Sequence, residues 1–149
     1  MSASDWPFTH LDRVRFADVD AMRHLNNVAF VRFFESARIA FMRQVFPEHD
    51  PTDPADFPVV LAETSIAYRA PAYYDEEVAT SIRPAALGRS SFRTEFRMYV
   101  EERFIADGYG VYVGYDYVGE RAQPLSPRIV EGLRPLLADS EEDAEAPAP

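Results

Sequence analysis

The densest group of polar side chains in the sequence lies just before its longest apolar segment. Two carboxylates, one imidazole and two carboxamides follow the pattern Asp18-x-Asp20-x3-His24-x-Asn26-Asn27. Asparagine is a preferred N-cap residue, so a helix is expected to begin here. The first backbone N–H groups of a helix have no partner within it, and the helix dipole favours negative charge at that end. Such a terminus would stabilise a carbonyl oxygen that becomes an oxyanion.

Asp20 is the candidate base or nucleophile of this group. It lies six residues before Asn26, so a loop could fold back and place its carboxylate beside the helix start. The positive end of the helix dipole would help to keep that carboxylate ionised. Other common nucleophiles are missing, because the chain has no cysteine, no lysine and no G-x-S-x-G motif.

The same residues could instead have structural roles. Asp18 and Asp20 could be turn or capping residues, Asn26 and Asn27 could be helix caps only, and His24 could be a hydrogen-bonded structural histidine. Asp18, Asp20 and His24 could also ligate a metal ion. Nothing else in the sequence has ligand spacing, so we predict no metal site.

Two further charged side chains lie outside this group. Glu35 falls within the predicted helix, where an ion pair with Arg32 or Arg38 is favoured over catalysis. Arg89 follows Gly88 at the start of a predicted strand. It is either a solvated charge at the rim of the fold or a contact to a phosphate.

The apolar segment that follows the polar group is predicted to be a long helix. The run from Val28 to Phe46 consists of helix formers and aromatic residues, and Pro47 ends it. Apolar residues occur on nearly every side of this helix, which is typical of a buried one. Residues 47–58 hold four prolines and several acids, and they predict a surface loop.

Alternating patterns predict five strands around this helix. One strand precedes the helix at residues 8–17, and four follow it, at Val59–Arg69, Glu77–Arg83, Ser90–Val100 and Arg103–Val118. The glycines of the last strand share one parity, which predicts close backbone approach or a bulge: Gly108, Gly110 and Gly114.

The remaining elements complete the predicted fold. Ser126-Pro127 should begin a short second helix. One long helix cannot cover both faces of a five-stranded sheet, so we expect an α+β fold in which a strongly curved antiparallel sheet wraps around it. The uncovered face and edges of such a sheet favour a homodimer or larger assembly.

Composition and charge limit the class of protein. The 149 residues predict one domain at 1–138, followed by an acidic tail at 139–149 that we expect to be disordered. The net charge of −10 makes general binding of nucleic acid or an anionic membrane unfavourable. The N-terminus lacks the pattern of a signal peptide, and four charges interrupt the most apolar stretch. We therefore predict a soluble, cytoplasmic protein with no nucleic-acid or membrane partner.

The segment from Phe16 to Arg38 resembles the signature of the hot-dog-fold acyl-CoA thioesterases, and most closely the 4-hydroxybenzoyl-CoA thioesterase-like family. The similarity continues through Tyr68–Glu76, Leu87–Phe92 and the strand that carries the glycines. It covers nearly the whole chain. The resemblance implies a curved antiparallel sheet around a central helix, in a homodimer or homotetramer with sites between subunits.

The resemblance also implies a role for each candidate residue. The catalytic carboxylate falls on Asp20, and backbone N–H groups near Asn26 and Asn27 would polarise the thioester carbonyl. His24 and Asn26 would orient the substrate or water. A second set is assigned to substrate binding, with its arginine near the phosphates of coenzyme A: Arg89, Ser90 and Ser91.

The predicted function is hydrolysis of acyl-CoA, and no cofactor is expected beyond the coenzyme A of the substrate. Two alternatives stay open. One is a hot-dog hydratase or dehydratase of acyl thioesters, in which His24 would move a proton next to the carbonyl. The other is a non-catalytic acyl-CoA-binding module.

Overall fold

A computed structural model describes residues 5–138 and has a curved antiparallel sheet around one long helix. The elements are β1 (Phe8–Arg13), α1 (Asn27–Val45), β2 (Val59–Tyr68), β3 (Glu77–Leu87), β4 (Ser91–Val100), β5 (Arg103–Asp116), β6 (Arg121–Ala122) and α2 (Pro127–Leu133). The strand order is β1-β3-β4-β5-β2, and the short β6 pairs with β5. This α+β architecture confirms the predicted fold class, with β6 as an addition. The tail expected to be disordered, 139–149, lies outside the described residues.

The helix α1 begins where the sequence predicts. Asn26 is its N-cap, and the side-chain oxygen of Asn26 accepts a hydrogen bond from the Val28 N–H at 2.8 Å. The last turn closes with the Phe46 N–H bonded to the carbonyl of Met42, directly before Pro47. The loop predicted at 47–58 follows as a series of turns.

The prediction that α1 is buried on all sides is wrong for the single chain. One side of the helix supplies much of the core, with Ala29, Phe30, Phe33, Phe34, Ala37, Phe41 and Met42 buried. On another flank, Val28 is 61% exposed and Val31 36% exposed. The reason is the position of α1, which lies closest to β1 and β3 and leaves its other flank uncovered.

The ion pair expected for Glu35 is confirmed, with Arg38 as its partner. Arg38 donates from Nε to Glu35 Oε1 at 2.9 Å and from Nη2 to Oε2 at 2.7 Å. Burial opposes the charge of Arg38, but the hydrogen bonds and charge of Glu35 outweigh it and leave the pKa of Arg38 raised. The two side chains are therefore joined by a bidentate ion pair, which favours a structural role for Glu35.

Close packing explains the glycines of β5. A Cβ at Gly108 would lie 1.9 Å from the carbonyl oxygen of Ser65 on β2, and one at Gly114 would lie 2.5 Å from that of Gln123. These distances confirm the predicted close approach of the backbone.

Two strand boundaries differ from the prediction by four residues, and the others by no more than two. β1 stops at Arg13 because a 3₁₀ turn occupies Phe16–Asp18. β3 continues past Pro84 to Leu87, although proline normally interrupts a strand. Pro84 is tolerated because β1 pairs with β3 only as far as Ile82, so no bond to β1 is needed there.

The outer face of the sheet carries the only tryptophan of the chain, Trp6. Its ring is buried, and two guanidinium groups lie close to it, with the Cζ of Arg83 at 4.4 Å and that of Arg97 at 4.9 Å from the ring centroid. These contacts lie within the range of cation–π interactions. The N-terminal segment is thereby fixed against β3 and β4.

The two ends of the sheet carry different parts of the chain. We call the end with the start of α1, the end of β2 and the start of β5 the proximal end. The end with the turn between β3 and β4 is the distal end. Tyr68 of β2 pairs with Ala106 of β5, whereas Ser91 of β4 pairs with Val113. These positions are seven residues apart along β5, or about 23 Å at about 3.3 Å per residue.

Candidate active site

A closed loop at the proximal end, residues 19–25, leads into α1, and we call it the Asp20 loop. Val19 and Leu25 form an isolated antiparallel bridge, and the Asp20 N–H donates to the carbonyl of His24 at 3.1 Å. Arg23 has a positive φ of 63°, and its N–H donates to the Asp20 carbonyl at 2.9 Å. These bonds fold the chain back, so that Asp20 approaches the start of the helix.

Four predicted catalytic residues line one cleft of about 600 Å³, namely Asp20, His24, Asn26 and Asn27. The opposite wall is formed by residues 68–71, at the end of β2 and just beyond it. The Tyr68 hydroxyl donates to the Asn27 carbonyl at 3.2 Å, and its ring contacts Phe30 edge-on at 5.1 Å. The structure therefore brings these four residues together.

The start of α1 has a free backbone donor in this cleft. Asn26 caps the Val28 N–H with its side chain, and its carbonyl accepts from Ala29 and Phe30. The Asn27 N–H has no hydrogen-bond partner within residues 5–138. A carbonyl oxygen of a ligand could therefore accept from this donor at the positive end of the helix dipole.

The carboxylate of Asp20 combines a turn contact with a free oxygen. Its Oδ1 accepts a hydrogen bond from the Met22 N–H at 2.9 Å, which stabilises the turn. Its Oδ2 has no partner in the described part of the chain, and the side chain is exposed. Asp20 thus acts as a turn residue, the alternative role considered from the sequence, and its second oxygen is still available for chemistry.

Asp18 differs from Asp20 although it lies only two residues away. It is 6% exposed, and its Oδ2 accepts from the Arg15 N–H at 2.8 Å. The guanidinium of Arg32 on α1 lies 3.5 Å from Oδ1. Asp18 therefore ties the loop to α1 and has a structural role.

His24 is half-buried at the rim of the cleft. Its ring meets the ring of Tyr73 edge-on, with centroids 5.4 Å apart and an angle of 84° between planes. Neither ring nitrogen has a hydrogen-bond partner among the residues that the structure covers. The geometry is not that of a hydrogen-bonded structural histidine, and both nitrogens are available to a ligand.

The described part of the chain offers no place for a metal ion or a membrane span. No group of three His, Asp or Glu side chains within residues 5–138 could hold a metal ion. No helix in the same range is both long and apolar enough to cross a membrane.

Arg89, Ser90 and Ser91 lie at the distal end, away from the cleft that contains Asp20. Backbone bonds hold this turn: the carbonyl of Arg89 accepts from the Leu125 N–H at 2.9 Å and that of Ser90 from the Gly114 N–H at 2.8 Å. A single chain therefore does not bring Arg89 together with Asp20.

The side chain of Arg89 lines a separate groove of about 850 Å³. Arg134 lines the same groove, whose walls include Leu87, Leu125 and Val130. Neither arginine has an ion-pair partner among the described residues. Sequence reasoning missed Arg134, because only the contact of α2 with the β3–β4 turn places it near Arg89. It also gave no role to Tyr68 and Tyr73, although both lie in a segment that carried the family resemblance.

Comparison with known proteins places these features in one family. The family model of the thioesterase-like superfamily matches residues 14–133. A thioesterase from Thermus thermophilus, solved with coenzyme A and zinc, is 33% identical, with 88% of this chain and 94% of that chain covered and a TM-score of 0.78.

Two more distant structures support the fold. A predicted thioesterase from Bacillus stearothermophilus is 21% identical, with 89% of this chain and 97% of that chain covered and a TM-score of 0.79. A 1,4-dihydroxy-2-naphthoyl-CoA thioesterase from Synechocystis is 17% identical, with coverages of 87% and 96% and a TM-score of 0.76. With a curved sheet around α1 and a family match over most of its length, the chain belongs to the thioesterase-like superfamily and is a thioester hydrolase with the hot-dog fold.

Proposed function

We propose that the protein hydrolyses acyl-CoA and that Asp20 is its nucleophile or general base. One observation carries this proposal: Asp20, whose Oδ2 has no partner within residues 5–138, and Asn27, whose N–H has none in the same range, line the same cleft. A thioester bound between them would have its carbonyl oxygen at the positive start of α1 and its carbonyl carbon within reach of the carboxylate. Stabilisation of the developing oxyanion by such a donor is typically worth on the order of 10²–10³ in rate.

Two routes follow from this arrangement. In the nucleophilic route, an Asp20 oxygen attacks the carbonyl carbon, the thiolate of coenzyme A leaves, and water then hydrolyses the mixed anhydride. In the general-base route, Asp20 removes a proton from the water that attacks the carbonyl carbon. Single turnover in oxygen-18 water separates them, because only the first route places the label in the Asp20 carboxylate.

Coenzyme A is the thiol that we assign to the substrate. The Thermus thermophilus thioesterase, at 33% identity, was solved with coenzyme A, which supports this assignment. The groove at the distal end is lined by Arg89 and Arg134, whose guanidinium groups have no ion-pair partner within residues 5–138. Guanidinium groups suit phosphates because they donate in pairs, so we expect the phosphates of coenzyme A to bind here.

The site requires a second copy of the chain. Asp20 and Arg89 lie at opposite ends of the sheet, and among the described residues β2 is an edge strand that pairs only with β5. If two β2 edges pair antiparallel, the proximal end of one subunit lies beside the distal end of the other. The uncovered flank of α1, with Val28 and Val31, supplies apolar surface for the same contact. We therefore propose a homodimer in which Arg89 of the partner subunit binds the substrate that Asp20 attacks.

The decisive assay is thiol release from a panel of acyl-CoA substrates by the wild type and Asp20→Asn. We expect Asp20→Asn to lower kcat by roughly 10²–10⁴-fold, the range for loss of a general base. Asp53→Asn is the matched control, since the Oδ1 of Asp53 accepts from the Ala55 N–H at 2.9 Å in the same kind of turn.

The outcomes of this assay separate the alternatives. Unchanged thiol release in Asp20→Asn would overturn the role of Asp20. Conversion of an enoyl-CoA without release of thiol would instead indicate a hydratase. Tight binding of acyl-CoA without turnover would indicate a binding module.

A further inference from the structure

The segment between β2 and β3, residues 69–76, is fixed by an ion pair. Arg103, at the start of β5, donates from Nη1 to Glu76 Oε1 at 2.8 Å and from Nη2 to Oε2 at 2.6 Å. These hydrogen bonds lower the pKa of Glu76 and raise that of Arg103. Both groups therefore stay charged at neutral pH, and their two parallel bonds fix the orientation of both side chains.

The same pair holds the backbone on both sides of Ala72. Arg103 Nη1 also donates to the carbonyl of Pro71 at 2.9 Å, and Glu76 Oε1 accepts from the Tyr73 N–H at 2.6 Å. The carbonyl of Ala72, between these two positions, accepts from the Leu25 N–H at 2.7 Å. Leu25 follows His24 directly, so the ion pair fixes the acceptor to which the Asp20 loop is bonded.

Tyr73 makes a second contact between the ion pair and the site. The Cζ of Arg103 lies 5.4 Å from the centroid of the Tyr73 ring. The ring of Tyr73 in turn contacts His24 edge-on, also with 5.4 Å between centroids. His24 has no side-chain hydrogen bond to any described residue, so this aromatic contact has a large share in setting the position of its ring.

We propose that Arg103, Glu76 and Tyr73 are positioning residues, which hold His24 and the Asp20 loop in the geometry that the reaction needs. The kinetic part of this inference rests on the proposed function. A displacement of about 1 Å within a site can cost on the order of 10² in rate. Loss of the ion pair would free both neighbours of Ala72, and with them the bond to Leu25.

The kinetic test compares two glutamates that pair with arginine. We expect Glu76→Gln to lower kcat for thiol release by roughly tenfold or more, with little change in KM, because the groove of Arg89 is untouched. Glu95→Gln is the matched control: Glu95 accepts from Arg83 at 3.0 and 3.1 Å on the outer face of the sheet. The control can lose thermal stability but should keep its kcat. Arg103→Gln should also lower kcat. Arg103→Lys keeps the positive charge but loses the paired donors, so its kcat should lie between those of Arg103→Gln and the wild type.

A spectroscopic test does not depend on activity. The chain has three histidines, so the imidazole resonance of His24 can be assigned by comparison with His24→Gln. Glu76→Gln should shift that resonance, and Glu95→Gln should leave it in place. If the wild type releases no thiol, the proposed function fails, and the resonance still decides whether the ion pair positions His24.

One result overturns the inference. If Glu76→Gln lowers the melting temperature but leaves both kcat and the His24 resonance unchanged, the pair only stabilises the fold. Should Glu76→Gln not fold, Arg103→Gln gives the same two readouts, and an unchanged kcat and His24 resonance in that variant would also overturn the inference.

Discussion

At the proximal end of the sheet, side chains from separate parts of the chain hold the candidate reacting groups. Asp18 anchors the loop to Arg32, and the Arg103–Glu76 pair holds the segment that bonds to Leu25. At the distal end, backbone bonds hold the β3–β4 turn, and the guanidinium of Arg89 has no ion-pair partner among the described residues. The difference agrees with the roles that we propose for the two ends. A carboxylate that reacts has to be held in a fixed position. A side chain that only binds a flexible phosphate group does not, because both groups can move to make the contact.

The largest effect is expected when Asp20 and Arg89 are mutated in different subunits of the same dimer. Asp20→Asn and Arg89→Gln subunits, expressed together, can form a mixed dimer in which one site has both wild-type residues. If half of the dimers are mixed, we expect their intact sites alone to contribute about a quarter of the wild-type kcat/KM. If Asp20 and Arg89 of one chain instead served the same active site, no mixed dimer would contain an intact active site. Because Arg89→Gln alone should keep part of the wild-type kcat/KM, the pool is compared with the mean of the two variants measured separately. A pool whose kcat/KM equals that mean would contradict the shared site, and light scattering checks that dimers form.

The groove of Arg89 should respond in substrate affinity rather than in turnover. We expect Arg89→Gln and Arg134→Gln each to raise KM for acyl-CoA by about three- to tenfold, since each removes a charge-assisted contact to phosphate at an exposed site. The turnover number should stay near that of the wild type. Arg128→Gln is the control, because Arg128 lies on α2 with the same charge but does not line the groove. A fall in kcat without a rise in KM would contradict the assignment.

Removal of the N-cap side chains of α1 and α2 should have smaller effects, measured as losses in the free energy of unfolding. Asn26→Ala should cost about 1 kcal/mol in free energy of unfolding, because the Val28 N–H loses its acceptor. For a chain of this size, that corresponds to a melting temperature lower by about 2–4 °C. Ser126→Ala at the start of α2 should cost less, since its bond to the Ile129 N–H is 3.4 Å long and the helix is short. Equal losses in thermal unfolding would contradict this ranking.

The smallest expected effect is the pH dependence that Glu76 contributes to stability. Its pKa is lowered from 4.5, mainly by the hydrogen bonds from Arg103. The folded state thus binds the proton less well than the unfolded state, so this contribution is complete above about pH 4.5 and is lost as pH falls through the folded pKa. Glu76→Gln should flatten the acid limb of urea-unfolding curves measured from pH 6 to 3. An unchanged slope would show that the pair adds little to stability.

Local patterns in the sequence were sufficient for much of this structure. The apolar run after Asn26 predicted α1 within one residue at each end, and alternation predicted the five main strands. The closeness of Asp20 to the start of α1 also followed from their spacing. The burial of Asp18 did not, because it depends on a contact with Arg32, which lies on α1 and outside the loop.

These local patterns could not predict contacts between residues that are distant in the sequence. Arg103 and Glu76 are 27 residues apart, and neither position stands out by residue type. The exposed flank of α1 was missed for a related reason: the sequence shows that Val28 and Val31 are apolar but not which side of the helix the sheet leaves open.

The position of Trp6 determines what intrinsic fluorescence can report. As the single indole of the chain, it lies close to the guanidinium groups of Arg83 and Arg97 on the outer face of β3 and β4, on the opposite side of the sheet from the helix. Emission from this residue will follow the release of the N-terminal segment and the melting of the sheet. It will be nearly insensitive to ligand entering the cleft, so titrations with acyl-CoA need a different optical probe.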